Sequence, residues 1–170
     1  MRQARGRGRR AGFSLLELVV SLTLVAVLLG VFLNRALYYA ELAEKSAMEQ
    51  VALDLRASVN LRVAELVLQN RFNDLATLAD QNPMDLLAEK PRNYLGVLPA
   101  GGMQDIVTGH WYFDKRSKEV VYFIDLGNNF TVAEAGAKKV AWHVVVVPAA
   151  DNAGPPQWAR LELVQPYRWF

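Results

Sequence analysis

The sequence predicts an α+β fold: a long N-terminal helix, transmembrane in its first half and amphipathic in its second, packed on a C-terminal antiparallel sheet of about four strands. Three observations predict it. From Phe13 to Leu33 the chain is apolar except for Ser14, Glu17, Ser21 and Thr23. Beyond Arg35 apolar residues recur at spacings of three and four, and no proline occurs before Pro83. From His110 onward, aromatic and β-branched runs are separated by turn residues.

The elements follow in order, beginning with a basic segment over residues 1–12. It holds Arg2, Arg5, Arg7, Arg9 and Arg10 and no acid. The whole chain has 19 Lys+Arg and 17 Asp+Glu, so taking away those five arginines leaves 14 against 17 and turns a net charge of +2 into −3. The positive charge is therefore a property of one terminal segment rather than of a folded face, which argues against nucleic-acid binding. The absence of cysteine removes disulfides, thiolate metal sites and cysteine nucleophiles.

Residues 13–35 read as a transmembrane helix, because roughly 20 helical residues at about 1.5 Å each cross a hydrocarbon core of about 30 Å. Arginine is concentrated before this run and only Arg35 stands just after it. The positive-inside rule then puts the N-terminus in the cytoplasm and the rest of the chain outside. A secretory signal peptide shares the basic start and the apolar run, but its apolar core is usually about 7–15 residues and is followed by an A-x-A-like site. Here the run is longer and FLNRALYYAEL follows it.

Residues 36–70 read as an amphipathic continuation of the same helix, with Met48, Val51, Ala52, Leu55, Val59, Val63 and Leu66 on one stripe. Residues 71–170 then form a loop and β-sheet domain that packs with 36–70. The loop carries Pro83, Pro91 and Pro99, a short helical turn at Met84 to Glu89, and enough apolar residues to pack down. Strands are expected at His110–Asp114, Glu119–Leu126, Lys138–Val147 and Gln157–Val164, the first two joined by a four-residue hairpin loop. One face of that sheet needs a cover, and the apolar stripe of the helix supplies it.

Candidate chemistry is sparse. His110 and His143 lie in β runs beside tryptophans without an acidic motif and read as core or edge residues rather than zinc ligands. Asp105, Asp114, Asp125 and Asp151 read as turn carboxylates, since their spacing matches no calcium loop. Trp111, Trp142, Trp158 and Trp169 belong in the sheet core or at subunit contacts, and Tyr167 to Phe170 is the expected exposed contact patch. No nucleophile and base pair, phosphate loop or paired-carboxylate arrangement emerges, so the chain reads as a non-enzyme without cofactor or metal.

The run RRAGFSLLELVVSLTLVAVLLG carries the specific signal. It resembles the class III signal and N-terminal helix of type IV prepilins and of type II secretion pseudopilins, through Gly12, Phe13 and Glu17. The resemblance implies cleavage between Gly12 and Phe13 by a membrane-embedded aspartyl prepilin peptidase and N-methylation of the new amine at Phe13. It further implies assembly with other pilin or pseudopilin subunits, an inner-membrane assembly platform and membrane lipid as partners, and a single-pass protein of the bacterial inner membrane with a periplasmic domain. Many major type IV pilins carry a C-terminal cysteine pair, so its absence leans toward a pseudopilin or a minor subunit.

Glu17 is also notable on physical grounds, because an acid in an apolar span is costly at the bilayer centre. It lies about 6 Å along the axis from Phe13, close enough for its carboxylate to reach the cytoplasmic interface in a lone subunit. The resemblance pairs it with the amine of a neighbouring subunit and so with axial register. A different class of protein, a signal-anchored periplasmic binding protein or enzyme with an incidental Glu17, is the alternative that leader cleavage discriminates.

Overall fold

The computed structural model describes residues 14–98, 106–132, 138–148, 156 and 158–170. Gly12 and Phe13 lie outside these residues, as do Asp105 and Asp151. The chain divides into two compact units, Met1–Tyr39 and Ala40–Phe170. One helix, α1 (Leu15–Leu68), contributes to both.

In the first unit the side chains from Leu15 to Leu33 are all exposed. Its sequence meets the length and composition of a membrane-crossing helix. The Thr23 hydroxyl donates to the Val19 carbonyl at 2.8 Å, so this polar group is satisfied within the helix.

In the second unit the chain turns out of α1 at Asn70, just past the last helical residue Leu68, with a left-handed φ of 56°. The Arg71 amide reaches back to the Leu66 carbonyl at 2.8 Å and the Asn70 amide to Val67 at 3.0 Å, the pair of bonds that closes a helix through a left-handed residue. A 3₁₀ helix at Phe72–Ala79 follows, which the sequence reading lacks, and a second at Pro83–Leu86 replaces the expected turn at Met84 to Glu89. Asn82 starts the latter by accepting from the Met84 amide at 3.1 Å, with Pro83 as the first helical residue.

Among the described residues seven strands follow: β1 (Tyr94–Val97), β2 (His110–Asp114), β3 (Glu119–Phe123), β4 (Phe130–Val132), β5 (Lys139–Val147), β6 (Trp158–Leu163) and β7 (Tyr167–Trp169). The α+β class stands, with a correction to the sheet. It has five strands in the order β1-β2-β3-β5-β6, and β4 pairs with β7 in a small second sheet. The main sheet is mixed, because β1 pairs in parallel with β2 while every other neighbour is antiparallel. Residues 98–109 separate β1 from β2, and a stretch of that length lets the chain return in the same direction.

The β2–β3 hairpin is as expected, with Trp111 opposite Tyr122 and Asp114 opposite Glu119. Its turn places Lys118 at φ 62°, and Asp114 Oδ1 accepts from the Arg116 amide at 2.8 Å. Strand alternation sends Trp111, Phe113, Val120, Tyr122, Val140, Trp142, Val144, Ala159 and Leu161 to one face. There they meet Met48, Ala52, Leu55, Val59, Val63 and Leu66 of α1, each buried. The other face buries Tyr112, Val121, Phe123 and Ala141 beneath Leu98, Ile106 and Val164. Trp111 anchors the main core, its ring 5.2 Å from Trp142 and 5.0 Å from Tyr122.

The C-terminal segment is a second correction. Trp169 is buried and β7 pairs with β4, Phe130 opposite Trp169, so the expected contact patch at Tyr167 to Phe170 is instead partly core.

Candidate assembly site

Among the expected site residues, Glu17 is the one within the described residues. It stands exposed in the first turn of α1, where unpaired backbone amides favour negative charge. The Leu18 amide bonds the Ser14 carbonyl at 3.0 Å, so the helix is already formed at this level. One turn on, Leu18, Val19, Leu22, Thr23 and Ala26 form an exposed, mostly apolar helix face. The first base after this acid is Arg35, at the far end of the exposed apolar run.

The second unit holds two carboxylates whose importance the sequence reading did not see. Glu41 is 1% exposed. It accepts from the Asn129 amide at 2.8 Å, the Asn129 side-chain amide at 2.9 Å and the Trp169 indole at 2.9 Å. Burial pushes its pKa up, but these bonds and the charge of Lys138 outweigh burial and hold it below the ordinary value of 4.5. One turn along, Glu44 accepts from the Tyr122 hydroxyl at 3.0 Å and from the Asp125 and Leu126 amides at 2.8 and 2.7 Å. Burial, reinforced by the Glu44 charge, raises the Tyr122 pKa far above its ordinary value of 10.0. Lys45 adds a bond to the Trp169 carbonyl at 3.0 Å.

Three successive polar residues of α1 thus bind the 125–129 turn and β7 to the helix. Glu41 lies among Ala40, Leu42 and Ala43, and nothing local marks it as buried. Its donors are 88 and 128 residues away.

The remaining candidates are in ordinary places. His110 Nδ1 lies 2.6 Å from the Thr108 carbonyl, and His143 sits half-buried in β5 opposite Glu119 and Glu162. Asp125 accepts from the Thr108 hydroxyl at 2.5 Å. Among the described residues no cluster of three or more His, Asp or Glu side chains is placed to hold a metal.

Residues 7–33 match the family model described as the prokaryotic N-terminal methylation motif. The match covers the N-terminal segment alone and makes it similar to the N-terminus of type IV pilin-like and pseudopilin-like precursors. No curated protein and no solved structure matches the chain.

Proposed function

We propose that this protein is a structural subunit, a pseudopilin or minor pilin, of a type II secretion pseudopilus or a type IV pilus. The observation that carries the reading is the methylation motif at residues 7–33 leading into an exposed apolar helix. Prepilin peptidase removes residues 1–12 by cutting between Gly12 and Phe13, and the amine of Phe13 is methylated. Residues 13–35 hold the subunit in the inner membrane with its N-terminus cytoplasmic. Residues 36–70 and 71–170 form the periplasmic head.

Glu17 then serves assembly, its carboxylate meeting the Phe13 amine of a neighbouring subunit where helices stack away from water. A pair of that kind gains strength from the low dielectric and fixes axial register. The intact mass of protein extracted from membranes tests the reading: the expected species begins at methylated Phe13. Retention of residues 1–12 in the presence of the peptidase, or a cut well beyond Leu33, overturns it.

A further inference from the structure

Where the apolar run of α1 ends, three exposed residues stand together: Arg35, Tyr38 and Tyr39. Spacings of three and four put both tyrosines one turn beyond Arg35 on the same side of the helix. Their rings lie 5.6 Å apart at 78°, and the two residues are 42% and 61% exposed. One turn before Arg35 stand Val31 and Phe32. No acid therefore lies within a turn of Arg35 along the helix, and among the described residues no carboxylate forms an ion pair with it.

A cation beside two phenols, at the end of an exposed apolar surface, fits a partner that is anionic at one end and apolar at the other. A phospholipid has that chemistry. The planar donors of arginine match phosphate oxygens, and tyrosine places its ring in lipid and its hydroxyl among the headgroups. The lengths agree as well. At about 1.5 Å per residue Arg35 lies about 30 Å along the helix from Leu15, which is the thickness of the hydrocarbon core. With Leu15 at one edge of that core, Arg35 reaches the other edge, and the two phenols stand one turn further out. A second copy of the span packed at equal height offers no carboxylate there, since the chain has no acid between Glu17 and Glu41.

We infer that Arg35, Tyr38 and Tyr39 form a phospholipid-headgroup site that fixes how deep α1 sits in the membrane. The Arg35 guanidinium meets the lipid phosphodiester, and the two phenols lie against the glycerol esters. The site rests on the membrane span of the subunit reading and is independent of the filament. By holding the far end of the span at the headgroups, it stops the apolar run from sliding further in, a stop that an apolar residue at position 35 could not supply.

The chain has no cysteine, so a single substitution gives a unique probe position. Full-length protein with Val25→Cys, Ala36→Cys or Ala43→Cys is spin-labelled and placed in phosphatidylglycerol and phosphatidylcholine vesicles at no more than one chain per vesicle. Collisions with oxygen report hydrocarbon, and collisions with a nickel chelate report water. The label at Val25→Cys is expected in hydrocarbon, that at Ala43→Cys in water and that at Ala36→Cys at the crossover. Arg35→Leu with Tyr38→Phe and Tyr39→Phe removes the stop, and nickel collisions at Ala36→Cys are expected to fall about threefold or more. A second measurement reads the phosphate contact itself. In cysteine-free protein with carbon-13 at the arginine guanidinium carbons, lipid phosphorus is expected to dephase part of the arginine signal, and Arg35→Lys to abolish that part.

An unchanged depth at Ala36→Cys in the triple variant, or equal dephasing in Arg35→Lys, overturns the site. A depth effect that appears only with many chains per vesicle assigns the tyrosines to a neighbouring subunit and overturns it too. If the label at Val25→Cys lies in hydrocarbon while either of these tests fails, the site falls and the span stands. If that label lies in water, the span falls and the site with it.

Discussion

The carboxylate of Glu41 accepts a hydrogen bond from the indole of Trp169 at 2.9 Å, joining residues 128 positions apart. With the two bonds from Asn129, this makes Glu41 the common acceptor of the 125–129 turn and β7. Glu41→Ala leaves three donors without an acceptor, two of them on Asn129 and one on a buried tryptophan. Each buried donor left unpaired costs about 1–3 kcal/mol, and water reaching the vacated space recovers part of it. The expected loss is about 3 kcal/mol of unfolding free energy, measured by urea denaturation of the fragment beginning at Tyr38. A loss below about 0.5 kcal/mol, the range of ordinary surface substitutions, shows that the bonds contribute nothing net.

The same residue sets a pH dependence. Its folded pKa lies below the ordinary value of 4.5, so the unfolded chain takes up the proton first as pH falls. The stabilisation is therefore fully present above pH 4.5 and is lost as pH drops through the folded value. Glu41→Gln removes this titration. Its unfolding free energy is expected to change less than that of the wild type below pH 4.5, and parallel curves for the two proteins exclude Glu41 as the source.

Residues Ala40–Phe170 form a compact unit by themselves. The fragment from Tyr38 omits the exposed apolar side chains of Leu15 to Leu33 and keeps Met48 to Leu66 over the sheet. It is expected to be soluble without detergent and to unfold cooperatively. Circular dichroism and sedimentation check this; aggregation or a gradual melt shows that the helix and sheet depend on the missing segment.

Glu17→Ala leaves Gly12 and Phe13 in place and makes the span more apolar, so leader removal and membrane insertion are expected to be normal. On the proposed pairing, assembly is expected to fail or weaken, because the amine of a neighbouring subunit would lose its partner in a dry environment. Membrane fraction, mature mass and co-assembly with partner subunits are compared with wild type. Normal assembly removes the pairing role, and an unprocessed variant reassigns Glu17 to peptidase recognition.

The parts legible in the sequence were those whose pattern is local. Six of the seven stripe residues from Met48 to Leu66 are buried, and Val51 is partly so, because the spacing of three and four is itself the geometry of a helix face. The hairpin from His110 to Phe123 was visible for the same reason, as alternation on either side of a short polar loop. β1 was not: it is four residues long, contains Gly96 at φ 92°, and is a strand only because β2 lies beside it. Trp169 read as exposed because its position near a chain end says nothing of the Glu41 acceptor waiting on the helix. At the candidate site, Glu17 stood out as an acid in an apolar run, whereas Glu41 and Glu44 looked like the solvated charges beside them.

The long reach of Glu41 also orders events during synthesis. When Glu41 and Glu44 leave the ribosome, Tyr122, Asn129 and Trp169 have not been made, and the two carboxylates must stay hydrated. As hydrated charges they keep this part of the helix from burial in an apolar environment before the sheet exists. Once the last strand arrives, the same charges are taken up as acceptors, and a barrier to early burial becomes a fastening.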